Sequence, residues 1–173
     1  MKTSKFIYQY GLLTGILTTV YAIMRFILDT HYVNDTVSTI VSTIILIGGI
    51  VLGQLAFRKE NNGLVSFKQC LKIGVGIGLI SALLGLVYYF VLNNFIDPEF
   101  VSKATKIDFD TRMTDDPEFL STLCENNQIC TYDQYLNQSL TYAWVAYPAI
   151  IILSLFFSFI CSLFTGLIIK KSE

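Results

Sequence analysis

Residues 73–92 read IGVGIGLISALLGLVYYFVL, a run without a charged residue and with glycine at 74, 76 and 78. A buried strand would end after ~4–8 residues, whereas a helix needs about 20 to cross a hydrocarbon core of ~30 Å. The run therefore reads as a transmembrane helix. Residues 6–28, 37–57 and 142–169 hold three more runs of the same character. Together they predict an all-α polytopic membrane protein, a single domain over residues 1–173. Its core is a four-transmembrane-helix bundle, and residues 93–141 form a small external helical cap between the third and fourth helices.

The composition agrees. Of the 173 residues, 53% are hydrophobic and 14% charged, and the mean hydropathy is +0.58, too apolar for an ordinary soluble domain. The net charge is −1, and no nucleic-acid partner is expected. The first run is longer than the ~7–15-residue apolar region of a signal peptide, and no A-x-A-like site follows it, so it is not read as cleavable.

Charge is segregated between the two ends of the bundle. Lys2, Lys5, Arg58, Lys59, Lys68, Lys72, Lys170 and Lys171 gather at one end, opposed only by Glu60 and Glu173. The other end holds Asp29, Asp35 and an acidic excess between Asp97 and Asp133, against Lys103, Lys106 and Arg112. Basic loops are retained in the cytoplasm, which predicts both termini inside and the cap outside. Tyr8 and Tyr10 at one level, and Tyr32, Tyr88, Tyr89, Tyr142 and Trp144 at the other, read as interfacial belts.

Capping signals place the helix starts. Ser66 and Gln69 form a capping box after the Asn62-Gly63 turn, so the third helix is expected to begin before the membrane. Lys68 and Lys72 then share a headgroup-level face. Asp97-Pro98-Glu99-Phe100 recurs as Asp116-Pro117-Glu118-Phe119. In each copy aspartate suits the N-cap and proline the first helical position, predicting two short cap helices. Thr131 and Gln134 form another box, from which the fourth helix is expected to run continuously inward. Lys5, Gly11, Gly15 and Thr18 echo Lys68, Gly74, Gly78 and Ser81 at a constant offset, as two parallel hairpin repeats would.

Small residues recur at four-residue spacing: Gly11 and Gly15; Gly49 and Gly53; Gly74, Gly78 and Ala82; Ser154, Ser158, Ser162 and Gly166. Lipid is as apolar as leucine, so close backbone approach must hold such helices together. The stripes are read as bundle packing, with homo-oligomerisation as the alternative. Arg25 is the one charge within a span, and Asp29 four residues on is its expected interfacial partner. No carboxylate or histidine occupies a helix centre, which argues against a proton-coupled pump. Gln54 and the Ser38, Thr39, Ser42 and Thr43 cluster read as interhelical hydrogen-bond partners.

Cys124 and Cys130 are candidates for a disulfide in the cap, while Cys70 and Cys161 read as reduced, small apolar residues. The plan resembles the disulfide-generating quinone reductases of bacterial inner membranes, but that family also needs a C-x-x-C pair in the first external loop. Residues 29–36 contain no cysteine, and the Cys-Cys-Gly signature of tetraspanins is also missing. The pair is therefore read as a staple. Asp108, Asp110, Asp115 and Asp116 lack the glycine and distal glutamate of a calcium loop, and His31 stands alone, so no metal or cofactor is expected. Asn34-Asp35-Thr36 and Asn137-Gln138-Ser139 match the glycosylation acceptor at the rate of chance.

Tyr10-Gly11-Leu12-Leu13-Thr14-Gly15 behind a lysine, Leu64-Val65-Ser66-Phe67-Lys68-Gln69 before a glycine-rich span, and Ile96-Asp97-Pro98-Glu99 just beyond it form one pattern. It resembles a family of small four-span bacterial inner-membrane proteins, a domain of unknown function common in Bacteroidota. The resemblance covers nearly the whole chain and implies a bacterial cytoplasmic membrane, with no activity to carry over. The expected function is that of a non-catalytic membrane protein whose cap contacts another protein or a like subunit. A small transporter or channel subunit is the alternative, and a membrane redox protein comes third.

Overall fold

The computed structural model describes residues 3–33 and 35–170. Lys2, Lys171 and Glu173 of the charge comparison, and Asn34 of the first sequon, lie outside them. Four long helices dominate: α1 (Ser4–Ile27), α2 (Thr36–Glu60), α3 (Phe67–Val91) and α7 (Ala146–Ile169). Between α3 and α7 lie α4 (Phe100–Asp115), α5 (Phe119–Asn127) and α6 (Tyr132–Tyr142), which build the cap. Four helical runs are long and apolar enough to cross a membrane: Ser4–Ile27, Thr36–Glu60, Phe67–Ile96 and Tyr132–Ile169. The protein is an all-α, multi-pass bundle.

The local chemistry explains most boundaries. Asp35 caps α2 by accepting from the Ser38 amide at 3.0 Å. Both halves of the capping box close at α3, with Ser66 N–H to Gln69 Oε1 at 2.8 Å and Gln69 N–H to Ser66 Oγ at 3.3 Å. The Thr131–Gln134 box opens α6 in the same way. The turn ahead of α3 places Asn62 (φ 54) and Gly63 (φ +81) in the left-handed region.

Two starts differ from expectation. The Asp-Pro-Glu segments form turns, and phenylalanine is the first helical residue of both α4 and α5. The pyrrolidine ring bars the preceding residue from helical geometry, so Asp97 (φ −139, ψ 82) and Asp116 (φ −137, ψ 95) are held extended. Their carbonyls then accept from Phe100 and Phe119 at 2.9 and 3.0 Å. The run from α6 into α7 is also not one continuous α-helix. A 3₁₀ turn, Ala143–Val145, interrupts it. Pro148 lacks the N–H that would bond the Trp144 carbonyl, and its ring crowds that oxygen.

Within the bundle, α3 packs along α1, α2 and α7, and α2 touches α1 and α7. Phe6, Ile50, Phe57, Ile73 and Ile77 form an apolar core, yet the outer face is apolar as well. Leu17, Ile44, Leu83, Phe156, Phe164 and Ile168 are exposed, whereas Thr14, Gln54, Ser158 and Ser162 are almost wholly buried. Acyl chains meet the outer face, so bulky apolar groups there are at home. Glycine notches accept the buried hydroxyls. A Cβ at Gly49 would stand 1.9 Å from Thr14 Oγ1, at Gly74 1.7 Å from Ser162 Oγ, and at Gly78 2.0 Å from Ser158 Oγ. Gly53 receives Ile77 and Gly166 lies on Cys70. Gly11 and Gly15 of α1 receive Ile80 and Leu84 of α3, while the corresponding glycines of α3 face α7. The two echoed stripes thus serve different interfaces, and their resemblance is not one of equivalent contacts.

At the end holding the termini, Lys5 bridges to Glu60 at 3.2 Å and joins α1 to α2. Arg58 donates to the Gly63 carbonyl at 3.1 Å and to the Ile169 carbonyl at 3.3 Å, placing a cation on the negative end of α7.

Candidate functional site

At the opposite end, the 28–35 connection and the cap lock together. The chain leaves α1 through Asp29, whose backbone is left-handed at φ 52. That turn carries its carboxylate off the helix, so the expected Arg25–Asp29 pair does not form. Instead the Arg25 guanidinium donates to the carbonyls of Thr30 and Val33 and stands 3.8 Å from Asp35 Oδ1. Arg25 organises the connection, and its acidic partner is the N-cap of α2.

His31 and Tyr32, held by that connection, meet the cap. The His31 ring centroid lies 4.8 Å from Phe26, 3.8 Å from Tyr32 and 5.8 Å from Phe100, with neither ring nitrogen hydrogen-bonded among the described residues. Burial lowers its pKa; Asp97 and Asp29 pull upward, while Arg25 and Lys103 push further down. The Tyr32 hydroxyl donates to Asp97 Oδ2 at 2.6 Å, and Lys103 Nζ donates to Asp97 Oδ1 at 2.8 Å. The Asp97 side chain is 9% exposed. Its burial works to raise the carboxyl pKa, but the bonds from Lys103 and Tyr32 outweigh that and hold it below the ordinary value. The bond to Asp97 raises the Lys103 pKa.

The two copies of the Asp-Pro-Glu-Phe repeat have diverged in role. Asp116 stays exposed, its carboxylate accepting from the Glu118 amide at 3.0 Å. Asp97 turns its carboxylate to Tyr32 and Lys103. The sequence carries a signal for this: six residues after Asp97 stands Lys103, whereas six after Asp116 stands Thr122. Sequence reasoning places Tyr32 in the interfacial belt and Asp97 at a helix cap. The contact between them is long-range, which local patterns do not encode.

Beside Tyr32 opens a cleft of about 300 Å³, walled by Thr105, Asp108 and Thr111 of α4 and by Tyr135 and Ser139 of α6. Tyr135 donates its hydroxyl to Asp108 Oδ2 at 2.7 Å, and Arg112 Nε donates to the same oxygen at 2.8 Å. Behind it, Phe109 packs against Phe119, Tyr132 and Tyr135 with centroids 6.2, 5.2 and 5.4 Å apart. This aromatic cluster is the cap's own small core. Cys124 and Cys130 are brought to disulfide distance, Cα atoms 4.4 Å apart, and close the connection from α5 to α6. Gln128 ends α5 in the left-handed conformation (φ 60) inside that closed turn.

The other residues singled out by sequence lie in the bundle, away from this junction. Gly11, Gly15, Gly49, Gly53, Gly74, Gly78 and Gly166 face neighbouring helices, Ser158 and Ser162 sit against α3, and Ser154 Oγ donates to the Gly78 carbonyl at 3.4 Å.

The chain belongs to the family described as "Protein of unknown function (DUF4199)", whose match spans residues 9–171. No curated protein matches it. No solved structure matches it.

Proposed function

We propose that this protein is a non-catalytic recognition protein of a bacterial cytoplasmic membrane, with both termini inside and an acidic cap outside that engages a basic partner. The observation that carries this reading is the cap's combination of rigid attachment and unmatched charge. Tyr32, Asp97 and Lys103 clamp it to the bundle. Glu99 and Asp108 have cationic partners in Lys103 and Arg112, while Asp110, Asp115, Asp116, Glu118, Glu125 and Asp133 stand exposed without one among the described residues. Binding surfaces are typically such segments held on a firm scaffold, and charge complementarity chiefly sets encounter rate and partner choice.

The bundle interior supports recognition over transport. Thr14, Gln54, Ser158 and Ser162 are packed at 0–1% exposure against glycine and neighbouring side chains, rather than lining an open path as a transporter would need. Positive charge at Lys5, Arg58, Lys59, Lys68, Lys72 and Lys170 supports the orientation.

Replacing residues 101–129 with a short neutral linker tests the reading. Cross-linking in native membranes is expected to lose its partners on this replacement, and the wild-type association is expected to weaken with added salt. Partners retained unchanged after the replacement would overturn it.

A further inference from the structure

We infer that the cleft between α4 and α6 is a binding site for an alkylammonium group. The inference rests on the reading of the cap as the recognition surface, and it names the chemistry recognised there. Hydroxyl protons decide the character of the wall. The Tyr135 hydroxyl is committed to the Asp108 carboxylate and the Tyr32 hydroxyl to Asp97. The Thr111 hydroxyl donates to the Ile107 carbonyl at 2.7 Å, and the Ser139 hydroxyl to the Tyr135 carbonyl at 3.0 Å. Carboxylate and carbonyl oxygens in these pairs only accept, so each hydroxyl proton is already committed. The wall is left presenting oxygen lone pairs.

Thr105 is the exception. It is 8% exposed, lines the cleft, and its hydroxyl has no hydrogen bond among the described residues. The cleft therefore offers several acceptors and one uncommitted hydroxyl, and it calls for a ligand rich in donors.

Charge narrows the class. An anion would face the Asp108 carboxylate and the acidic cap around it. A polyol needs donors for its own oxygens, and only Thr105 has one to give. An ammonium carries three donors and no acceptor. Val33, Ala104 and Ile107 supply an apolar wall for its methylene stem. Lys103 is nearby, but its charge is answered by Asp97 and Glu99 at 2.8 and 3.7 Å. Arg112 is likewise answered by Asp108, whose remaining lone pairs stay available. A free amine and a lysine side chain of a partner protein share this chemistry.

The test is titration of the full chain in nanodiscs with n-butylammonium, butan-1-ol and butyrate. Saturable binding of butylammonium alone is expected, about tenfold weaker or worse in Asp108→Asn through loss of a charged acceptor. Because Asp108 also holds Arg112 and Tyr135, Thr105→Val and Ser139→Ala are measured beside it. Each is expected to weaken binding several-fold with unchanged thermal melting. Equal binding of butan-1-ol, or butylammonium affinity unchanged in all three variants, overturns the inference. Blocked lysine (N-acetyl-lysine methylamide) binding more tightly than 1,4-diaminobutane identifies a protein side chain as the source, and the reverse order a free polyamine; neither binding overturns it. Should partners survive replacement of residues 101–129 while butylammonium binds the intact chain, the recognition reading fails and the cleft stands. Should partners be lost with that segment while no butylammonium binds, the cleft fails and the recognition reading stands.

Discussion

Gly78 and Ser158 show how much rests on single atoms. A Cβ at position 78 would lie 2.0 Å from Ser158 Oγ and 2.5 Å from its Cβ, with the Ser154 carbonyl oxygen next at 3.7 Å. Gly78→Ala is expected to cost on the order of 1–3 kcal/mol by forcing α3 and α7 apart. Ser158→Gly removes both short contacts, so the double variant should recover most of the loss, and thermal melting of all four forms in detergent measures that coupling. Additive losses would show that the two residues do not share a notch. His31 sets a pH dependence of its own. Burial places its pKa below the ordinary 6.5, so the neutral ring carries no penalty above pH 6.5. The penalty grows as pH falls through 6.5 and is complete beneath the lowered folded value. The melting temperature is expected to drop between pH 7 and 5 in wild type and to stay flatter in His31→Phe. Parallel slopes in the two proteins would exclude His31 as the cause. Asp97 acts in a separate window. Its contribution is present above the ordinary 3.8 and is lost as pH falls through its lowered value.

At the level of elements, the cap depends on a staple and a small aromatic core rather than on extensive burial. Replacing Cys124 and Cys130 by serine opens the turn around Gln128, which a loop so short would otherwise stabilise by about 2 kcal/mol. Amide exchange should quicken in α5 and the first turn of α6 while α3 and α7 stay protected. Uniform loss of protection would mean that cap and bundle unfold together. Helix starts are legible in the sequence wherever one side chain caps its own backbone, as at Ser66 and Thr131. They are misplaced at Pro98 and Pro117, where the restriction on the preceding aspartate overrides proline's fitness for a first turn. Arg25 is legible as an interfacial anchor but not in its partner. The i to i+4 rule assumes that the helix continues, and α1 has already ended at Ile27.

For the whole molecule, apolar run length and the stripes of small residues suffice to give the four-helix plan, because both follow from physics that acts along one chain. The junction of Tyr32, Asp97 and Lys103 joins segments far apart in sequence, and so does the cleft between α4 and α6. Neither leaves a periodic trace. Orientation has its own check: reporter fusions at Glu60 and Asp110 are expected to signal from opposite compartments, the first inside. The same signal from both would undo the four-span topology. The interruption at Ala143–Val145 carries a mechanical consequence. The 11-residue α6 is a stiff arm about 16 Å long, joined to α7 by a single 3₁₀ turn. The Asp97 clamp is a second fixed point, near α1 and α2. A load applied at the tip of the arm therefore cannot dissipate by swinging the cap freely. It arrives at α7 as torque, against a seam of hydroxyls seated in glycine notches where there is no slack.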